Sequence, residues 1–119
     1  MIAKTIVSEG NTALAMGSGS LPVFATPAMV ALMEEAACLE IAPHLGEGDT
    51  SVGTLISVSH LAATPVGMTV TAEAVLIEQD GRKFVFELTA SDERGVISKG
   101  THERFVVNAD KFVKKTYSK

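Results

Sequence analysis

PVFATPAMVALMEEAACLEIAPHL, residues 22–45, is a nearly apolar helix signal with two adjacent acids, Glu34 and Glu35, in its middle. Thr26 followed by Pro27 predicts its start, because a threonine hydroxyl can accept from an orphan backbone N–H and proline suits the first helical position. Pro43 sets the far limit near Ala42. About sixteen residues at ~1.5 Å each make a rod of roughly 24 Å. Stepping ~100° per residue puts Met29, Met33, Ala36 and Ala37 at the centre of the apolar face, widened by Val30, Leu32, Leu39 and Ile41. Glu35 points away from that face, Glu34 lies at its border and Glu40 falls close to its middle. A rod this apolar has to be wrapped on most sides. An acid at the edge of a buried face costs free energy unless it is paired or put to use, so Glu34 is either a salt-bridged carboxylate or a functional one.

The sequence around the rod indicates what wraps it. AKTIVSEGNTALAM, residues 3–16, predicts an opening strand interrupted near Gly10, and GSGSLP, residues 17–22, is the most flexible composition in the chain. After the loop GEGDTS at 46–51 the period changes to two. Val52, Thr54, Ile56, Val58 and His60 then share one strand face, and Gly53, Leu55, Ser57, Ser59 and Leu61 the other. Turn chemistry at 64–67, a strong hairpin signal at Asp80-Gly81 and a further turn at 92–95 delimit three more strands over 68–79, 82–91 and 96–107. The lysine-rich end from Asn108 is expected to be a solvated tail, helical at its start. One strand, a long apolar helix and four hairpin-linked strands make an α+β domain. The helix is best satisfied if the antiparallel sheet curls around it, which is the hot-dog arrangement. Edge strands of such small sheets commonly pair across a homodimer.

The totals are consistent with one domain over residues 1–119. Fourteen acidic against ten basic residues give a formal charge of −4, which argues against nucleic acid as the main partner. A single cysteine, Cys38, excludes an internal disulfide and suits a reducing compartment; it is read as a small core residue. With no signal-peptide pattern and no apolar run near ~18 residues, a soluble cytoplasmic chain that engages no membrane is the expectation.

Chemistry has few places to sit. The chain has no P-loop, no GxGxxG, no HExxH and no paired Cys/His clusters at metal spacing. Ser57 and Ser59 lack the strained elbow of a hydrolase serine. What remains is Glu34 on the helix and His60 on the next strand. Each taken alone is more often structural, but together a carboxylate and an imidazole can divide one hydrolysis between them. Backbone N–H groups near Thr26 or beside Gly53 are candidates to stabilise an oxyanion. His44 reads as a helix-end residue. His102 and Arg104, on one strand parity, read as surface residues or an anion contact at a cleft.

These residues carry a resemblance. VFAT at 23–26, MVALMEEAAC at 29–38, AP at 42–43, VGT at 52–54, VSHLAATPVGMTVTAE at 58–73 and GTHER at 100–104 resemble the fluoroacetyl-CoA thioesterase-like family of hot-dog acyl-CoA thioesterases, in order across residues 23–104. The resemblance implies a hydrolase of small or short-chain acyl-CoA thioesters that uses a Thr/Glu/His set, here Thr26, Glu34 and His60. By the same resemblance Glu34 attacks the carbonyl or activates water, His60 transfers protons, and Thr26 orients the acid or holds the substrate. Gly53 falls on the family's active-site glycine, and Arg104 is a candidate contact to the substrate's CoA phosphates. No metal or separate cofactor is implied, coenzyme A entering as part of the acyl-CoA substrate. Where the family has a phenylalanine-bearing lid ahead of VFAT, this chain has GSGSLP. A non-catalytic acyl-CoA or metabolite binder is the alternative, with a CoA-dependent lyase or dehydratase behind it. A simple N-cap at Thr26 would stand about 12 Å along the axis from Glu34, so the set needs a folded-back lead-in or a group from a second chain.

Overall fold

The computed structural model describes residues 1–119. Strand β1 (Ile2–Ile6) leads through a 3-10 turn at Glu9–Asn11 to a single helical turn, α1 (Ala13–Met16). The long rod is α2 (Thr26–Ile41), followed by a 3-10 turn at Ala42–His44. Four strands follow, β2 (Asp49–His60), β3 (Thr69–Asp80), β4 (Lys83–Asp92) and β5 (Gly95–Asn108), and then α3 (Ala109–Thr116). The strands form one antiparallel sheet in the order β1-β3-β4-β5-β2, so β1 and β2 are its two edges. This is the hot-dog arrangement expected from the element order.

The rod buries Met29, Leu32, Met33, Ala36, Ala37 and Ile41. Opposite them stand Val70, Ala72 and Ala74 of β3, Phe84, Phe86, Leu88 and Ala90 of β4, and Ile97 and Val106 of β5. The small alanines on β3 let the rod lie close to the sheet, and the three aromatic and leucine side chains of β4 fill the space beside it. Glu40, near the middle of the buried face, accepts the backbone N–H of Leu76 at 3.1 Å, where β3 shifts register against β4. That hydrogen bond chiefly holds its carboxyl below the usual range. The rod covers the β1-β3-β4 side of the sheet, while Leu55 and Ile56 on the β2 edge stay exposed, as do Ala31, Cys38 and Leu39 on the rod's outer side.

Several expectations are corrected. Cys38 is exposed rather than buried, because it lies one step beyond Ala37 and turns off the sheet-facing stripe. Thr26 is the first helical residue; Ala25 is the N-cap and no side chain caps the end. His44 sets its ring 5.5 Å from that of Phe84 rather than against helix carbonyls. The hairpin after Asp80 closes one residue later than the signal implies, with Gly81 and Arg82 between the paired Asp80 and Lys83 and Gly81 at φ +60°. The period-two reading of β2 breaks at a bulge between Gly53 and Leu55, so Gly53 pairs with Arg104 while Leu55 pairs with Glu103. The extra residue moves Gly53 onto the same inner face as Ile56, Val58 and His60.

Candidate active site

The chain between β1 and the rod is held across the end of β2. Ala25 N–H donates to Asn11 O and Phe24 N–H to Thr64 O, both at 2.9 Å, and Val23 pairs with Pro65. These bonds place the first turn of α2 beside the last residue of β2. Thr26 Oγ1 consequently lies 2.8 Å from His60 Nδ1. The other ring nitrogen of His60, Nε2, is buried and has no hydrogen-bond partner. Burial pushes the imidazole below its ordinary pKa, partly offset by the Ala62 backbone, so the ring is neutral at pH 7. A cavity of about 330 Å³ opens here; Ala13 and Ser18, from α1 and the glycine-rich segment, line it together with Thr26, His60 and Leu61.

Glu34 stands elsewhere. Its carboxylate lies over Gly53 on the β2 edge, beside a second cavity of about 270 Å³ lined by Glu34, Gly53, Leu55, Ile56 and His102. Arg104 Nη1 donates to Glu34 Oε2 at 3.1 Å. The guanidinium is nearly buried, and its other donors go to Ser51 Oγ, Ser51 O and His102 Nε2. Within this chain the guanidinium is paired with the Glu34 carboxylate. Of the two readings of Arg104 and His102, surface strand residues or an anion contact at a cleft, the first is corrected, since both side chains point inward from β5 and are buried. The absence of a side chain at Gly53 makes room for the carboxylate: a Cβ there would stand 2.7 Å from Glu34 Oε2, 3.2 Å from His102 Cε1 and 3.3 Å from Arg104 Nη1.

The expected site residues thus fall into two groups, Thr26 with His60 and Glu34 with Gly53 and Arg104. With helical geometry starting at Thr26, eight residues separate it from Glu34, or about 12 Å of axial rise. Along β2, Gly53 and His60 are seven residues apart, roughly 23 Å of strand. No lead-in folds back to close this gap, so the two groups do not meet within one chain.

The family described as FlK, fluoroacetyl-CoA-specific thioesterase, matches residues 7–110. The chain belongs to this family. Its similarity to the fluoroacetyl-CoA thioesterase of Streptantibioticus cattleyicolor is 46% identity over 97 residues, covering 82% of this chain and 70% of that protein. A solved structure of the fluoroacetyl-CoA thioesterase FlK superposes with a TM-score of 0.93 at 38% identity, covering 100% of this chain and 93% of the other. A hot-dog-like protein from Thermanaerovibrio acidaminovorans superposes with a TM-score of 0.88 at 26% identity, over 99% and 87% of the two chains.

Membership of the FlK family makes the chain a thioesterase, an enzyme that hydrolyses thioesters. One polar residue of the site escaped assignment from sequence. His102 is 1% exposed and touches Arg104 Nη1 at 3.2 Å, yet its only signal in the sequence was a shared strand parity with Arg104. No helix of the chain is long and apolar enough to cross a membrane.

Proposed function

We propose that the chain is a homodimeric hydrolase of small and short-chain acyl-CoA thioesters, in which Thr26 and His60 of one protomer work with Glu34 of the other. The supporting observation is the division of these residues between two ends of one inner strand face. If two β2 edges pair antiparallel about a two-fold axis at Ser57, the residue numbers of opposed positions sum to 114 from Leu55 to Ser59, and the bulge brings the sum to 113 at Gly53. Gly53 then faces His60 of the partner subunit, and directly opposed residues put their side chains on one face ~5 Å apart. Glu34, which lies over Gly53, would stand beside the Thr26–His60 pair of the other chain. The exposed Leu55 and Ile56 would be covered near the axis.

In such a site the thioester carbonyl lies between the two groups. Glu34, held by Arg104, activates a water or itself adds to the carbonyl carbon. The C–S bond breaks, and the departing CoA thiolate takes up a proton through His60 Nε2, the nitrogen left without a partner; the water that is consumed supplies that proton, so the ring ends neutral as it began. Thr26 Oγ1 fixes the ring through Nδ1. The overall change is thioester plus water to acid plus free CoA. Nothing in this scheme calls for a metal. Small residues from α1 and the glycine-rich segment, Ala13 and Ser18, line this cavity together with Phe24, which suits small and short-chain acyl groups.

A panel of acyl-CoA substrates with detection of free thiol tests the reading. Glu34→Gln and His60→Ala should each lose roughly 100-fold or more in kcat while keeping the wild-type melting temperature within a few degrees. Propionyl-CoA and butyryl-CoA should be hydrolysed along with acetyl-CoA. Turnover close to wild type in both variants would remove these residues from the reaction.

A further inference from the structure

We infer that His102 is a positioning residue of the hydrolysis, a neutral acceptor that fixes the Arg104 guanidinium on Glu34. The inference rests on the reading of Glu34 as the working carboxylate. His102 Nδ1 lies 2.7 Å from Leu55 O, and a carbonyl oxygen can only accept, so Nδ1 carries the proton. His102 Nε2 lies 3.2 Å from Arg104 Nη1, and a guanidinium can only donate, so Nε2 is the acceptor. The two partners dictate one tautomer. Protonation of Nε2 would set two donors against each other. Burial, and then the neighbouring Arg104 charge, also keep the ring below its ordinary pKa, against the Leu55 carbonyl and the acids Glu34 and Glu103.

The geometry forms one relay: Leu55 carbonyl, His102 ring, Arg104 Nη1, Glu34 Oε2. Leu55 is the first residue in register after the β2 bulge, so the relay ties the carboxylate to the backbone beside that bulge. Ser51 holds Nε and Nη2 of the same guanidinium, leaving Nη1 as the nitrogen that His102 and Glu34 share. Without an acceptor on its His102 side, one N–H of Nη1 is left unpaired in a buried place, and the guanidinium gains by turning toward another acceptor and off its present geometry on the carboxylate. Both ring nitrogens of His102 are engaged, by Leu55 O and Arg104 Nη1, which makes its action indirect.

Two variants separate this role from simple packing. His102→Phe keeps a ring beside Phe86, 6.1 Å away between centroids, but supplies no acceptor; His102→Gln keeps one. For the best acyl-CoA of the panel, His102→Phe should lower kcat roughly 10- to 100-fold with KM within about threefold, and His102→Gln should recover most of the loss. In an Arg104→Met background the same His102→Phe change should cost nothing further, because the group it acts through is gone. Unchanged kcat in His102→Phe, or an equal loss in both backgrounds, would overturn the inference. If His102→Phe does not fold, imidazole nitrogen resonances of the wild-type protein decide: a proton on Nδ1 and a bare Nε2 at neutral pH support the relay, and the opposite tautomer or a charged ring sinks it. Glu34→Gln measured in parallel distinguishes the failures. An active Glu34→Gln refutes the role of Glu34, whereas an inactive Glu34→Gln beside a fully active His102→Phe refutes only the relay.

Discussion

A missing side chain and two unassuming polar atoms carry most of the site's geometry. Gly53 has ordinary backbone angles, and what excludes a larger residue is the carboxylate that lies over it. Gly53→Ala should therefore fold but push Glu34 off Arg104, with kcat reduced at least about tenfold, as assayed on the acyl-CoA panel against the unfolding midpoint. Wild-type turnover in that variant would show that the close approach is incidental. His60 and His102 add a pH signature. Both have folded-state pKa values below their unfolded value near 6.5, so the unfolded chain binds more protons as the pH falls. Their contribution is fully present above pH ~6.5 and is lost progressively below it, by at most about 1.4 kcal/mol per pH unit for each ring. Thermal melts from pH 7.5 to 5 should show a falling Tm, and His102→Gln should flatten the slope. Thr26 shows where local rules end: threonine before proline reads as a cap, but its hydroxyl is engaged by an imidazole from the next strand, 34 positions away.

At the scale of elements, the rod and the meander were legible because both follow simple periods. Apolar residues on nearly every face mark a wrapped helix, and alternation with glycine-bearing turns marks the hairpins. The bulge at Gly53–Leu55 was not legible, since an extra residue in a strand leaves the pattern of residue types unchanged and alters only its phase. That single step decides that Gly53 and His60 share a face. The inward turn of His102 and Arg104 was hidden for a related reason, because polar residues on a strand read as solvent-facing unless their partners are known. The β2 edge tests the assembly directly. Ile56→Asp, at the exposed centre of that edge, should yield a folded monomer by light scattering with thioesterase activity lost; an active monomer would refute the proposed pairing.

For the whole molecule, a helix apolar around most of its circumference and a β2 edge with Leu55 and Ile56 exposed leave a single chain with apolar surface it does not cover itself. The same incompleteness separates Glu34 from Thr26 and His60. Sequence spacing could list the three residues but not their distribution, because in the proposed dimer the distances that matter run between chains. Complementation of two inactive variants measures this point. Glu34→Gln protein and His60→Ala protein, mixed in equal amounts and allowed to exchange subunits, would form hybrid dimers as half the population. In each hybrid one of the two composite sites is intact and the other carries both changes, so about one quarter of wild-type activity should return. No recovery from fully exchanged hybrids would contradict a site shared between protomers.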